Sequence, residues 1–367
     1  MKEQKGDLIM SATLTNYIYW LDEIDKDYGH LVGKKCANLG ELTRAGFPVP
    51  RGFALSVDMY KKFMNDTGAF EEISRYLKNF DTGNDPLANL NKYNEASNVL
   101  RHIVETKWWP SEMEDFIARF YERLCEKSGI DNVPVAVRSA GLLSYPGQYE
   151  TYLYVRGKTE VMKHIIKVFS STFNVRSLLA REKAGRIQNY EPIGIAVNQM
   201  VNAKAAGVIF TLNPVNGDKS KIAIEGNWGL GQSVVGGFVT PDEWKVDKVV
   251  LEIISRKISS KQIEYLVDHK LTKVTEVHIP KERQAVPCLT DEEIIELARI
   301  AKAIEKHFGT PQDIEWAIEK ESAFPKNIFF VQTRPETVWN NRIIESKLKT
   351  TGSPSRDVIS FYRNLKA

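Results

Sequence analysis

Cysteine is scarce. Cys36, Cys125 and Cys288 are the three in 367 residues, odd in number and widely spaced. Neither a disulfide framework nor a Cys-x-x-Cys metal site can be assembled from them. The six histidines, His30, His102, His164, His269, His278 and His307, lie scattered with no His-Glu-x-x-His or paired spacing, and read as surface or packing residues rather than ligands. No apolar run approaches the ~18 residues of a membrane span. Met1 to Thr13 is polar and lysine-bearing, without the apolar core of a signal peptide. The expected setting is therefore cytoplasmic, with no membrane. Charge of one sign is missing as well: 50 basic against 47 acidic residues leave +3, which argues against a nucleic-acid partner, since phosphate-backbone affinity needs concentrated positive charge. The lysines from Lys245 to Lys273 alternate with acids and apolar residues and are expected on solvated strand faces. Also absent are GxxxxGK[ST] and a strand-bound GxGxxG, so neither a P-loop nor a Rossmann unit has support.

What is present is an ordinary globular composition, 43% hydrophobic and 26% charged, in a chain long enough for two domains or one domain with two lobes. The first third reads as mainly helical. Lys34 to Ala45 has helical apolar spacing and stops at Gly46, and a short strand follows at Gly52–Leu55. Helices are expected at 57–65, 69–79 and 86–105, and another opens at a capping box Ser111-x-x-Glu114 and closes near Gly129. From Pro134 the period changes. Val135–Val137 and Glu150–Val155 read as strands, 158–170 and 174–188 as helices. Strands are then expected at 194–201, 206–212, 221–225, 243–250 and 253–258. A last helix begins at a second capping box, Thr290-x-x-Glu293, and ends at Gly309. Strands at 313–318 and 328–333 close the pattern, and the tail beyond Trp339 is polar, with Thr350–Ser355 read as a flexible linker.

Four segments could carry chemistry. Gly33-Lys34-Lys35 puts free backbone N–H groups and positive side chains at a helix start, where phosphate is favoured, although lysine there is more often a surface charge. Arg138 ends the buried strand of Val137-Arg138-Ser139 beside a loop, Gly141 to Gly147, able to fold over phosphates; the alternative is a structural hairpin whose arginine pairs with an acid. Five glycines between Gly226 and Gly237 leave backbone free to approach a ligand, or simply form an irregular turn. Finally, strand alternation in Asp313-Ile-Glu315-Trp-Ala317 and Phe330-Val-Gln332-Thr-Arg334-Pro335 aims a carboxylate, an amide and a guanidinium into one cleft. Such oxygens suit magnesium bridged to nucleotide phosphates; a solvated salt bridge between Glu315 and Arg334 is the plainer alternative.

In this order and at these distances the segments resemble the N-terminal nucleotide-binding domain of the pyruvate phosphate dikinase and phosphoenolpyruvate synthase family, from about residue 30 to 339. The family's GGK-x-A-x-L-x-E appears as Gly33-Lys34-Lys35-x-Ala37-x-Leu39-x-Glu41, its VRS as Val137-Arg138-Ser139, and its lid turn PG-x-x-[DE]-T as Pro146-Gly147-x-x-Glu150-Thr151. Its Q-x-M-V appears as Gln199-Met200-Val201, one residue tighter, and its Gly-Leu-Gly at 229–231. DIEWA and VQ-x-RPET follow nearly letter for letter.

The resemblance implies an α+β, ATP-grasp-like two-lobed nucleotide-binding fold with a helical N-terminal part: an N-terminal lobe at 14–195, a C-terminal lobe at 196–339 and a tail at 340–367. It implies ATP and Mg²⁺ as cofactors. Lys35, Arg138 and Arg334 would hold the triphosphate as the catalytic cations, and Arg176 is a weaker phosphate candidate. Gly147 and Thr151 would close over the nucleotide, Gln199, Met200 and Val201 would read the adenine edge, and Glu315 with Gln332 would hold the metal. Two departures stand out: Lys34 replaces a family glycine, and Gln232 stands where glutamate is usual. Complete members pass phosphate to a histidine in a GG-x-x-SHA motif, which none of the six histidines here has. The expectation is thus an ATP-dependent dikinase-type phosphotransferase subunit, similar to that of phenylphosphate synthase. It would serve a separate phosphohistidine-bearing subunit and a small-molecule final acceptor. A stand-alone kinase or ligase acting on a small molecule, and a non-catalytic nucleotide-binding subunit, remain as alternatives.

Overall fold

A computed structural model describes residues 16–80, 90–142, 149–268, 270–337 and 339. Pro146, Gly147 and Gln148 of the expected lid turn and the tail from residue 340 lie outside the described residues. The chain mixes helices and antiparallel strands. Strand β1 (Ile18–Trp20) precedes the short α1 (Gly29–Val32) and the longer α2 (Lys34–Arg44), and β2 (Gly52–Leu55) leads into four helices, α3 (Val57–Asp66), α4 (Ala69–Lys78), α5 (Leu90–Glu105) and α6 (Ser111–Ser128). Strands β3 (Val135–Ala140) and β4 (Thr151–Val155) come next, then α7 (Lys158–Ser170), α8 (Val175–Lys183) and β5 (Gly194–Gln199). These strands form a five-stranded sheet in the order β1-β2-β5-β3-β4.

Alternation decides what each face of that sheet carries. Phe53, Leu55, Val135, Val137, Ile195 and Val197 point into a core shared with helices α3 to α8. The opposite face is built of small residues, Ala54, Ala140 and Ala196, which lets α2 lie close with Cys36, Ala37 and Leu39. Large side chains would hold the helix off; alanines bring its first turn down to the end of β3.

The second half is a six-stranded sheet, β13-β12-β6-β7-β8-β9, made from β6 (Ala203–Phe210), β7 (Lys221–Trp228), β8 (Asp242–Asp247), β9 (Ile253–Lys257), β12 (Gln312–Glu319) and β13 (Ile328–Pro335), with α9 (Gln232–Val235) after β7. A separate hairpin, β10 (Ile263–Asp268) with β11 (Lys273–His278), and the short α10 (Lys281–Gln284) precede the long α11 (Asp291–Phe308). Helix α11 covers one sheet face, with Ile294, Leu297, Ala301 and Ile304 packed on Ile224, Trp244, Ile314 and Trp316. Each of its fully buried leucine and isoleucine side chains contributes about 1.5–3 kcal/mol. The other face looks toward the first sheet.

Of the two capping boxes, one forms. Thr290 Oγ1 accepts from the Glu293 amide at 3.3 Å and Glu293 Oε2 accepts from the Thr290 amide at 2.9 Å. At α6, Ser111 is already the first helical residue, Pro110 is the cap and no side chain caps the end. Glu114 instead accepts from the Trp108 indole at 2.8 Å; an aromatic donor just upstream captures the carboxylate that the pattern assigned to the backbone. Helix α8 ends at Lys183, short of residue 188, and β1, β10 and β11 are strands that the periodicity did not reveal. The expectation that every lysine between Lys245 and Lys273 is solvated fails at Lys261. Its ammonium lies fully buried, 2.7 Å from the fully buried Asp242, whose carboxylate also accepts from the amides of Ser259 and Cys288, both at 3.0 Å. Saturation with three donors makes that burial tolerable.

Candidate functional site

Arg138 leaves β3 on the alanine face, opposite Ala196 of β5 and Thr151 of β4, and reaches across to the second sheet. There β12 and β13 run antiparallel with Glu315 opposite Gln332 and Asp313 opposite Arg334. The guanidinium of Arg138 donates through Nη1 to the Val331 carbonyl at 2.7 Å and through Nη2 to Glu315 Oε2 at 2.7 Å and Gln332 Oε1 at 3.2 Å. Its Nε is buried with no hydrogen-bond partner. Arg334 pairs with Asp313, donating from Nε at 2.8 Å and from Nη2 at 2.5 Å. The Glu315–Arg334 salt bridge considered from sequence is therefore absent: each of those residues has another partner.

Lys35 joins the cluster from α2. Gly33 takes a φ of 79° as the helix begins, and a β-carbon there would stand 2.0 Å from the Ala140 carbonyl oxygen. Only glycine permits this approach, and it brings Lys35 into the field of Arg138, Glu315 and Arg334. Lys35 keeps partial surface exposure, yet burial of its ammonium, followed by repulsion from Arg138, lowers its pKa from 10.5 to about 8. For Glu315, burial alone would raise the pKa, but Arg138 and Lys35 outweigh it and hold the carboxyl below its ordinary value. Asp313 goes the other way: burial raises it despite Arg334. Three cations and two carboxylates thus share one place, with Glu315 held as the anion.

Of this cluster Arg138 and Glu315 line a cleft of about 600 Å³ that runs between the sheets, whereas Lys35, Gln332 and Arg334 stand behind them, outside its lining. Met200, Val201, Leu230, Ala317 and Val331 give it apolar walls, and Thr151, Gln199 and Gln232 also line it. Gln199 Oε1 accepts from Ser128 at 3.1 Å, and the amides of Gln199 and Met200 are committed to the carbonyls of Arg51 and Pro134, both at 2.8 Å. Within the glycine-rich segment, Gly231 and Gly236 line the cleft, and the Leu230 amide is tied to the Tyr265 carbonyl at 2.9 Å. Arg176 stands exposed on α8 and is not among the lining residues. Asn198 was missed. It lines the cleft opposite Ala136, 7% exposed, with its Oδ1 buried and unpartnered. Alternation counted from Arg138 through Ala136 to its cross-strand partner would have found it.

Among the described residues no three or more His, Cys, Asp or Glu groups cluster as a metal site. Glu315 and Gln332 offer instead one carboxylate and one amide oxygen converging on a single cationic nitrogen, Arg138 Nη2. Magnesium keeps several waters and binds through one or two carboxylates plus substrate phosphates. This donor set fits a metal arriving with a nucleotide.

Two sheets, a mostly apolar cleft between them and a cluster of cations at one end describe an α+β unit suited to a phosphorylated ligand. Residues 29–353 match the family described as pyruvate phosphate dikinase, AMP/ATP-binding domain, and the chain belongs to it. It is 38% identical over 353 residues to a probable phosphoenolpyruvate synthase of Staphylothermus marinus, covering 89% of this chain and 42% of that protein. Identity is also 38% to one from Methanocaldococcus jannaschii, over 95% of this chain and 28% of that protein. It is 36% to the phosphoenolpyruvate synthase of Aeropyrum pernix, over 90% and 44% respectively. The chain thus spans less than half the length of these curated relatives.

Proposed function

We propose that this chain binds ATP with Mg²⁺ in the cleft, in the manner of an ATP-grasp fold, and acts as the ATP-cleaving part of a dikinase-type phosphotransferase. The lobes would be residues 14–195 and 196–339. Adenine would occupy the apolar flank by Met200, Val201 and Gln199, and the triphosphate the end held by Lys35, Arg138 and Arg334, with Thr151 and Gly147 closing over it. Glu315 and Gln332 would hold magnesium, which would supply charge neutralisation on the triphosphate. The observation that carries this proposal is Arg138 spanning both sheets with its Nε unsatisfied. A phosphate oxygen is the ligand a buried, unpaired guanidinium N–H lacks. On binding, Arg138 would exchange Glu315 for phosphate oxygens. The protein's contribution is then positioning and electrostatic stabilisation of charge on the transferred group.

By family analogy a pyrophosphoryl group passes to a histidine, leaving AMP. The nucleophilic nitrogen bonds to the β-phosphorus as the bond to the α-phosphate oxygen breaks. We place that histidine outside these 367 residues, on a partner subunit, with a small molecule as the final phosphate acceptor. The test is incubation with β- and γ-labelled ATP, alone and with phosphohistidine-motif proteins encoded nearby. AMP together with label on the partner is the expected outcome. ADP with a labelled small molecule would mean a stand-alone kinase or ligase, and ATP bound but unconsumed under every condition would mean a non-catalytic subunit.

A further inference from the structure

Helix α2 is fastened to both sheets. At its start the Lys34 amide donates to the Gly141 carbonyl at 3.2 Å, just past the strand that carries Arg138. Its body, packed through Cys36, Ala37 and Leu39 on the first sheet, also reaches the other. Asn38 Nδ2 donates to the Thr333 carbonyl at 2.9 Å, between Gln332 and Arg334, and the fully buried Leu42 sits in the core under α11. At its far end Glu41 Oε1 meets His307 Nε2 at 2.6 Å, a contact between α2 and the last turn of α11. The second oxygen of Glu41 accepts the Lys26 amide at 3.1 Å, so both oxygens of one carboxylate are used. The ring of His307, 34% exposed, leans on Phe47 and Phe308 at centroid distances of 6.0 and 5.5 Å. Neither Glu41 nor His307 lines the cleft.

We infer that Glu41 and His307 are a positioning pair that sets where Lys35 stands relative to Glu315 and Arg334, an inference resting on Lys35 as a triphosphate ligand. Lys35, Asn38 and Leu42 are spaced to share one stripe of the helix, the stripe turned to β13 and its core. Lys35 and Glu41 are six residues apart, about 9 Å along a helix axis. A helix clamped at that end and by Asn38 is a short lever with the ammonium near its tip. Because the start stays tied at the Lys34–Gly141 hydrogen bond, freeing the clamp lets the helix rock about that tie and turn Lys35 against β13, and a shift of order 1 Å in a charged group around a phosphate costs up to about 10²-fold in function. Glu41 would therefore matter for ATP without touching it.

The test is a double-mutant cycle on ATP–magnesium affinity with the full chain. His307→Phe keeps the contacts with Phe47 and Phe308 but cannot donate to Glu41, and is expected to weaken ATP binding about tenfold, within the range such misplacement allows. His307→Gln restores an N–H donor and is expected to bind nearly as wild type. In a Lys35→Met background His307→Phe should have no further effect, because the residue it positions is gone. A merely structural histidine would weaken binding equally in both backgrounds, and that result overturns the inference. So does wild-type affinity in His307→Phe alongside a weakened Lys35→Met. Lys35→Met binding ATP as tightly as wild type would remove Lys35 from the site and overturn this inference, while leaving the ATP-binding proposal, carried by Arg138, in place; a wild type that binds no ATP would overturn both. Should His307→Phe fail to fold, Glu41→Gln carries the same cycle.

Discussion

Arg138 and Glu315, 177 residues apart in sequence, close a 2.7 Å ion pair between the two sheets, with side-chain exposures of 14% and 17%. A pair this shielded strongly resists losing one member. It also marks a place where a carboxylate is kept ionised with a cation on it. If magnesium takes over that cation's role when ATP arrives, Glu315→Gln should remove most of magnesium's benefit to ATP affinity. The shape of the side chain is kept and only the anion is lost. Titrating ATP with and without magnesium checks this; an undiminished magnesium dependence in the variant would take Glu315 out of the metal site.

Arg334 offers a cleaner separation of chemistry from folding. Its partner Asp313 already has a raised pKa, from burial first and despite the arginine, so on losing Arg334 it can take up a proton rather than remain a bare buried charge. Arg334→Ala is expected to lower the single-turnover rate of ATP cleavage by about 10³–10⁵-fold, the range for an arginine that stabilises phosphoryl-transfer charge, while thermal unfolding changes little. Full activity in that variant would exclude Arg334 from the transition state.

Much of this arrangement is legible in sequence, and the limits have physical causes. Alternation in the two strands put Asp313 with Glu315 on one face and Gln332 with Arg334 on one face, as β12 and β13 have them, because a two-residue period leaves one choice of face. It could not say that Asp313, rather than Glu315, pairs with Arg334, since partner choice depends on the neighbouring sheet, from which Arg138 competes. Asn198 escaped because an amide near the end of the mostly apolar strand Gly194–Gln199 carries no motif, and its cleft-facing side is set only by pairing with Ala136. Lys261 escaped because burial of a lysine depends on an aspartate 19 residues away and leaves no periodic trace.

Lys35 makes the site sensitive to alkali. With its pKa lowered to about 8 by burial and then by Arg138, the ammonium of the free protein deprotonates above that pH, and the triphosphate meets a neutral amine. ATP affinity should be flat below about pH 7.5 and fall above 8, by at most about a decade per pH unit. Binding in that range should take up a proton, because phosphate pulls the pKa back toward its ordinary value. The stability effect has the opposite sign. Between about 8 and 10.5 the unfolded chain holds more protons than the folded one, so this group's contribution to stability rises with pH as binding weakens. Calorimetry in buffers of different ionisation heat measures the proton; a pH-independent affinity that Lys35→Met leaves unaltered would contradict the assignment.

Gly33 is where the backbone itself limits substitution. At a φ of 79°, with a β-carbon 2.0 Å from the Ala140 carbonyl oxygen, Gly33→Ala must both strain the residue and push α2 off β3. The expected cost is at least about 2 kcal/mol by denaturant unfolding, with ATP affinity falling alongside because Lys35 moves with the helix. Stability lost without any change in ATP affinity would show that the start of α2 is not part of the site.

The Lys261–Asp242 pair tests whether burial or surface charge describes the far side of the second sheet. Both side chains are fully buried, and the carboxylate also takes the amides of Ser259 and Cys288, so it fastens β8 to the segments on either side of β10 and β11. Lys261→Met would strand a buried anion that still holds two amides. The expected cost is about 3–5 kcal/mol, the range for breaking a buried pair on one side. Replacing both partners together with apolar residues should recover part of it, since no uncompensated charge then remains, although the two amides lose their acceptor. ATP affinity should be unaffected once the fold holds, for the pair bonds to Ser259 and Cys288 and to none of the residues around Arg138 and Glu315. A single Lys261→Met variant within about 0.5 kcal/mol of wild type, the size expected of a surface substitution, would return this lysine to the solvated face that the charge pattern first suggested.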